Sequence, residues 1–163
     1  MGVFDDRRAR RRYVELGAGV GVSAGALAAR GRRGVATDKG LVLPLLRRNL
    51  DACAAPGGAW KIVELDFARP FDAAPLGAPT VLLAADVLYS KVAAAGLPGA
   101  VSAIPSLREV WLAHTVRDVD GDGLSHTLAA LSTSFPLQQK VLEVRATSVW
   151  VLRRSGDVTR PRV

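Results

Sequence analysis

The sequence is nearly free of cysteine: Cys53 stands alone. An internal disulfide is therefore excluded, as is any zinc site built from several thiolates, and a reducing compartment such as the cytoplasm (or the nucleus) is the expected setting. Two histidines, His114 and His126, have no thiol or carboxylate cluster at ligand spacing, so no metal centre is expected. No run of about 18 uncharged apolar residues occurs, which leaves no membrane-spanning helix to expect. The start of the chain holds acidic residues and then Arg7, Arg8, Arg10, Arg11 and Arg12, without the apolar stretch of a signal peptide. Aromatic residues are scarce at 6%.

What is present suits one folded domain. The 163 residues are 49% apolar and 23% charged, enough to bury a core and unlike a disordered segment. Residues 1–12 read as a basic tail, 13–155 as the domain and 156–163 as a second tail. The 22 basic residues outnumber the 15 acidic ones, for a net charge of +7. Five of the positive charges sit in the arginine tail and the rest are scattered, the pattern of a solvated flank, so neither nucleic acid nor membrane is an expected partner.

Apolar strands alternate with helical patterns, which predicts an α/β fold: a Rossmann-like, doubly wound, mostly parallel sheet covered on both faces. Strands are expected at Tyr13–Leu16, Arg33–Thr37, Trp60–Leu65, Thr80–Ala85 and Val110–Thr115. Helices are expected at Val22–Arg30, Gly40–Ala54, Leu88–Ile104 with a break near Pro98-Gly99, and within Gly121–Phe135. Leu137–Val144 and Ser148–Leu152 read as a closing antiparallel C-terminal strand pair, because a short turn joins them.

Ligands of such sheets bind outside the carboxyl ends of the strands, where the strand order reverses. The chemically informative residues all fall at such ends. Gly17-Ala18-Gly19-Val20-Gly21 follows the first strand, letting the backbone turn tightly and approach a ligand. Its spacing is not the dinucleotide fingerprint, whose third glycine would fall at Val22, so a pyrophosphate ligand is disfavoured. Asp38, 21 residues beyond Gly17, is placed either to accept both hydroxyls of a ribose or to cap a helix. Asp66-Phe67 follows the third strand, and Asp86 with Tyr89 the fourth.

These motifs, with Leu43–Leu50 and Glu64-Leu65-Asp66-Phe67, resemble the class I (seven-β-strand) S-adenosylmethionine-dependent methyltransferases. Asp86-Val87-Leu88-Tyr89 together with Leu65-Asp66-Phe67 narrows the resemblance to the lysine methyltransferase-like family, methyltransferase family 16 type. The resemblance spans most of Tyr13–Ser90. It implies S-adenosyl-L-methionine as cofactor, with Gly17, Ala18 and Gly19 along its methionine and ribose, Asp38 on the ribose hydroxyls, Asp66 and Phe67 flanking the adenine, and Ala85 touching it by backbone. Asp86 and Tyr89 are implied to face the methyl-transfer site, and Glu15 to orient the methionine amine through water. The implied activity is protein-lysine N-methylation of a non-histone protein. Methylation of another acceptor (protein arginine, protein histidine or a small molecule) and an inactive fold that works through protein contacts stay open beside it, with a basic RNA-binding role fourth. Family members carry an N-terminal segment that brings a tryptophan to the cofactor pocket; twelve residues precede the first strand here, so the chain reads as divergent, N-terminally truncated or incompletely predicted, or else another element covers the site.

Asp118, Asp120, Asp122 and Gly123 imitate the opening of a calcium loop, but its twelfth position is Ala129, which lacks the required carboxylate, so a turn is expected.

Overall fold

The computed structural model describes residues 11–56, 58–116 and 123–156. Its strands are β1 (Arg12–Leu16), β2 (Arg33–Asp38), β3 (Trp60–Glu64), β4 (Val81–Ala85), β5 (Glu109–Thr115), β6 (Leu137–Val144) and β7 (Thr147–Arg153). The helices are α1 (Val22–Ala28), α2 (Leu43–Cys53), α3 (Lys91–Ser102) and α4 (Gly123–Leu131), with single 3-10 turns at Gly40–Val42 and Ala74–Leu76. The strands form one seven-stranded sheet in the order β3-β2-β1-β4-β5-β7-β6. β1 to β5 pair in parallel, while β7 runs antiparallel to both β5 and β6.

Alternation along the strands divides the core between the two faces. On one face Val14, Leu16, Val35, Leu82, Ala84, Val110, Leu112 and Leu152 join Leu97, Val101, Leu131 and Phe135 in a single buried cluster. The apolar stripe of α3, at Ala93, Ala94, Leu97, Ala100 and Val101, has the helical spacing that turns one side toward the sheet. On the other face Ala36 meets Ala24 of α1 and Leu46 and Leu50 of α2 in a smaller cluster. Each fully buried leucine contributes about 2 kcal/mol of transfer free energy, so the larger cluster holds the sheet's centre.

The central β1–β4 contact is the reversal point. From β1 the chain winds outward through β2 to β3, then returns to lay β4 on the opposite side of β1. Connections above β1 and β4 thus diverge and leave a crevice at their carboxyl ends.

The observed sheet has the expected winding and the expected antiparallel closing pair, which turns at Arg145-Ala146 with Arg145 at φ 55°. One expectation fails: α3 is not broken at Pro98-Gly99 but runs unbroken from Lys91 to Ser102. A proline removes the amide that would bond the carbonyl four residues back, here that of Ala94. The Thr127 hydroxyl, from α4, donates to Gly123 O at 2.8 Å and reaches Ala94 O at 3.5 Å. Thr127 is fully buried, so a donor from a neighbouring helix attends the carbonyl that Pro98 orphans. The helix also starts later than Leu88, because Ser90 caps it, its Oγ accepting from Ala93 N at 3.2 Å.

Asp118, Asp120 and Asp122 lie outside the described residues. Among the described residues no group of three His, Cys, Asp or Glu comes together as a metal site. No helix among them is long and apolar enough to cross a membrane.

Replacing Thr127 by Val keeps the volume and deletes the buried donor shared by Gly123 O and Ala94 O. Urea denaturation should show a loss of about 1–2 kcal/mol. A variant as stable as the parent would refute this account of the tolerated proline.

Candidate cofactor and methyl-transfer site

The turn after β1 is built by backbone geometry. Gly17 has φ 65°, a left-handed conformation that side-chain-bearing residues rarely adopt. A Cβ there would also stand 2.9 Å from Val87 Cγ1 and 3.5 Å from Phe67 Cε1. Gly19, at φ 55°, differs: a Cβ there meets nothing within 4 Å, so its backbone borders open space. Ala18 N donates to Thr37 O at 2.9 Å and Gly21 N to Ala18 O at 2.9 Å, which close the loop against β2.

The end of β2 is tied to this turn by a side chain. Asp38 Oδ2 accepts from Gly19 N at 2.7 Å, while Oδ1 accepts from Lys39 N at 2.7 Å. Each oxygen keeps a second lone pair for a ligand hydroxyl. Below them, Glu15 is 2% exposed, its Oε2 accepting from Ala24 N at 2.9 Å and its carboxyl also bonded by the Ser23 hydroxyl. Burial pushes its pKa up to about 7, against the opposing pull of those two hydrogen bonds.

After β4 the backbone turns sharply at Asp86, which has φ 57°. Its amide donates to Ala113 O of β5 at 2.8 Å, so the strained residue is pinned to the neighbouring strand. Val87 and Leu88 then bury themselves at 2% exposure, and Tyr89 emerges 54% exposed.

These elements enclose a hollow of about 450 Å³. Gly17, Ala18, Gly19, Asp38, Phe67, Ala85, Asp86 and Tyr89 line it, together with Glu15. Asp66, singled out by the same motif as Phe67, is not among the lining residues. Its Oδ1 accepts from Ala68 N at 3.1 Å in a tight local turn, and its Oδ2 pairs with Lys39 Nζ at 3.4 Å and Arg69 Nε at 3.5 Å. Those two cations hold the carboxylate at the rim.

Sequence reasoning missed Val22, Ser23, Lys39, Leu65 and Val87, which also line the hollow. The Ser23 hydroxyl, in the first turn of α1, is a natural donor to the Glu15 carboxyl near the end of β1. Nothing in the spacing pointed to Val87, because its contact with Gly17 joins two strand ends far apart in sequence.

The donor set and space fit S-adenosylmethionine. Two carboxylates, Glu15 and Asp38, suit a ligand with an ammonium, a sulfonium and a ribose diol. The backbone at Gly19 leaves open space of the kind a sugar needs, and the buried Phe67 ring offers an apolar wall of the kind a base needs.

No protein-family model and no curated protein sequence matches the chain. Solved structures do. EvdMO1 is 22% identical with a TM-score of 0.66, over 88% of this chain and 37% of its own. The S-adenosylmethionine-dependent methyltransferase SibL is 15% identical at TM-score 0.66, over 93% of this chain and 52% of that one. The methyltransferase domain of bacterial CtHen1 is 9% identical at TM-score 0.67, over 88% of this chain and 90% of that one. The chain thus spans well under two thirds of EvdMO1 and SibL, and at these identities the likeness is one of fold: that of the class I methyltransferases.

The raised pKa of Glu15 has a stability consequence. A folded-state pKa of about 7 above an ordinary 4.5 means that the proton is held more tightly in the native state, so the stabilisation is full below pH 4.5 and lost as pH rises through 7. Glu15→Gln keeps an acceptor for Ala24 N without the charge. It should match the parent near pH 4.5 and exceed it by about 2–3 kcal/mol at pH 8 in urea denaturation. Equal stability of the two proteins at pH 8 would contradict the assignment.

Proposed function

We propose that the chain binds S-adenosyl-L-methionine in the crevice above β1, β2 and β4 and methylates the side-chain amine of a protein lysine. The observation that carries the reading is the convergence of Asp38, Phe67, Asp86 and Tyr89 on one hollow beside the glycine turn. Bound there, the cofactor supplies an electrophilic methyl group on a sulfonium. Asp38 takes the ribose hydroxyls on the oxygens that already accept from Gly19 and Lys39. Phe67 covers the adenine, and Asp66 reaches it only by loosening its pairs with Lys39 and Arg69. Glu15 sits where a carboxylate balances the methionine ammonium.

At the acceptor end, in-line displacement demands positioning above all. A lysine amine must arrive neutral, against an unperturbed pKa of about 10.4. Desolvation lowers that value, while a nearby carboxylate raises it, so Asp86 orients the amine as an acceptor and is not a strong base. Tyr89 offers its ring face to the amine, which gains a positive charge as the N–C bond forms. The exposed rim at Tyr89 favours an acceptor carried on a macromolecule over one swallowed whole. A single exposed Cys53 suits work in a reducing compartment such as the cytoplasm.

Titration calorimetry with S-adenosylhomocysteine separates this reading from an inactive scaffold: heat of binding is expected, and none at millimolar ligand would overturn it. Asp38→Ala should weaken binding about a hundredfold, the loss of two hydrogen bonds to a charged acceptor. Asp86→Ala should spare binding and abolish turnover; equal loss of affinity in both would show that Asp86 belongs to the cofactor site. Extract incubated with labelled cofactor should carry the label on protein lysine. Label confined to another acceptor would overturn the lysine assignment and leave the cofactor site intact.

A further inference from the structure

Apolar side chains are exposed around the mouth of the crevice. Val20 and Val22 stand between the glycine turn and the start of α1, Leu41 and Leu45 in the segment after β2, and Tyr89 and Val92 in the segment after β4. All six are exposed, Leu41 by 98%. Three connections far apart in the sequence thus bring apolar surface to one end of the sheet, the end where the hollow opens. Clustered apolar surface of this kind marks a site of interaction.

The hollow divides that surface into two lips, because α1 and α2 pack on one face of the sheet and α3 on the other. On the first lip Asn49 Nδ2 donates to Val20 O at 2.8 Å, which ties α2 to the glycine turn. Leu45 lies one turn before Asn49 on the same side of α2, and so beside Val20. Leu41 lies in the 3-10 turn that leads into that helix, and Val22 lines the hollow itself. On the second lip Tyr89 lines the hollow and Ser90 caps α3, with Val92 in its first turn.

The charges are arranged across the lips. Asp38 and Asp86 line the hollow between them, and the cation among its lining residues, Lys39, is paired with Asp66. The lips themselves carry basic residues: Arg48 stands three residues on from Leu45, and Lys91 lies between Tyr89 and Val92, both exposed. An occupant that complements this surface has one positive group with apolar groups on either side of it and no further positive charge beside them.

We propose that the two lips dock the apolar neighbours of the acceptor lysine, so that the substrate is an extended protein segment of apolar–lysine–apolar pattern, poor in basic residues. This rests on the reading of the hollow as a methyl-transfer site. The spacing follows from size. A hollow of about 450 Å³ is about 8 Å across if it is as wide as it is deep. Side chains two positions either side of the lysine share its face of an extended segment and stand about 6.6 Å from it, which brings one to each lip.

The test begins with titration calorimetry of S-adenosylhomocysteine alone. Absence of binding there would overturn the reading of the hollow and this proposal with it. With the chain saturated by that ligand, fluorescence anisotropy compares labelled peptides that have a central lysine in a serine background and leucine, serine or arginine two positions either side. The leucine peptide should bind at least about tenfold more tightly than the serine peptide, and the arginine peptide most weakly. Leu41→Ser/Val92→Ser, two positions outside the lining of the hollow, should bind S-adenosylhomocysteine like the parent and lose the preference for leucine. The control Leu137→Ser/Leu142→Ser, on the exposed edge strand β6, should keep it. Unchanged circular dichroism and thermal midpoint show that each variant is folded. Equal affinity for the three peptides, or no binding of the leucine peptide to the loaded chain, would overturn the docking lips and leave the cofactor site standing. Equal binding of a peptide with norleucine in place of the central lysine would do the same. A concentration-dependent dimer in sedimentation velocity that Leu41→Ser/Val92→Ser abolishes would overturn the peptide in favour of a second copy of the chain.

Discussion

A hydrogen bond of 2.7 Å from the Gly19 amide to Asp38 Oδ2, beside the backbone bond from Ala18 N to Thr37 O, ties the turn after β1 to the end of β2. It couples two requirements. The glycine must sit in a left-handed conformation to present its amide, and the carboxylate must stand at the carboxyl end of its strand. Parallel pairing supplies the rest, because Leu16 faces Thr37 in the register and brings the two ends level. The hollow exists because β4 lies on the other side of β1, and its far wall begins where Ala85 gives way to a residue with positive φ.

Electrostatics divides this end of the sheet in two. Glu15 is buried under the turn and its proton is held to about pH 7 by desolvation, whereas Asp38 keeps hydrogen-bond donors on both oxygens. Lys39 stands beside the hollow and pairs with Asp66 on the surface, where such pairs are weak.

The fold was legible because its signals are local. Continuous apolar runs such as Val81–Ala85 mark strands buried on both faces, and the alternation of strands with alanine-rich or leucine-rich helices marks a parallel sheet. The glycine turn, Asp38 and Asp86 were legible as strand-end residues for the same reason. The continuity of α3 through Pro98 was not, since the contact to the carbonyl that the proline frees comes from a threonine in another helix. Nor was the placement of Asp66, which is decided by Lys39 and Arg69 rather than by its motif. Arg12 and Arg33 are far apart in the sequence and become neighbours only through register.

The central claim is that one crevice holds a nucleoside bearing a sulfonium between Asp38 and Asp86. A crystal structure of the chain grown with S-adenosylhomocysteine tests it most directly. The account predicts ribose hydroxyls on Asp38, adenine against Phe67 and the sulfur beside Ala85 and Asp86. Ligand density anywhere else, or a hollow still filled only by water at saturating ligand, would contradict it.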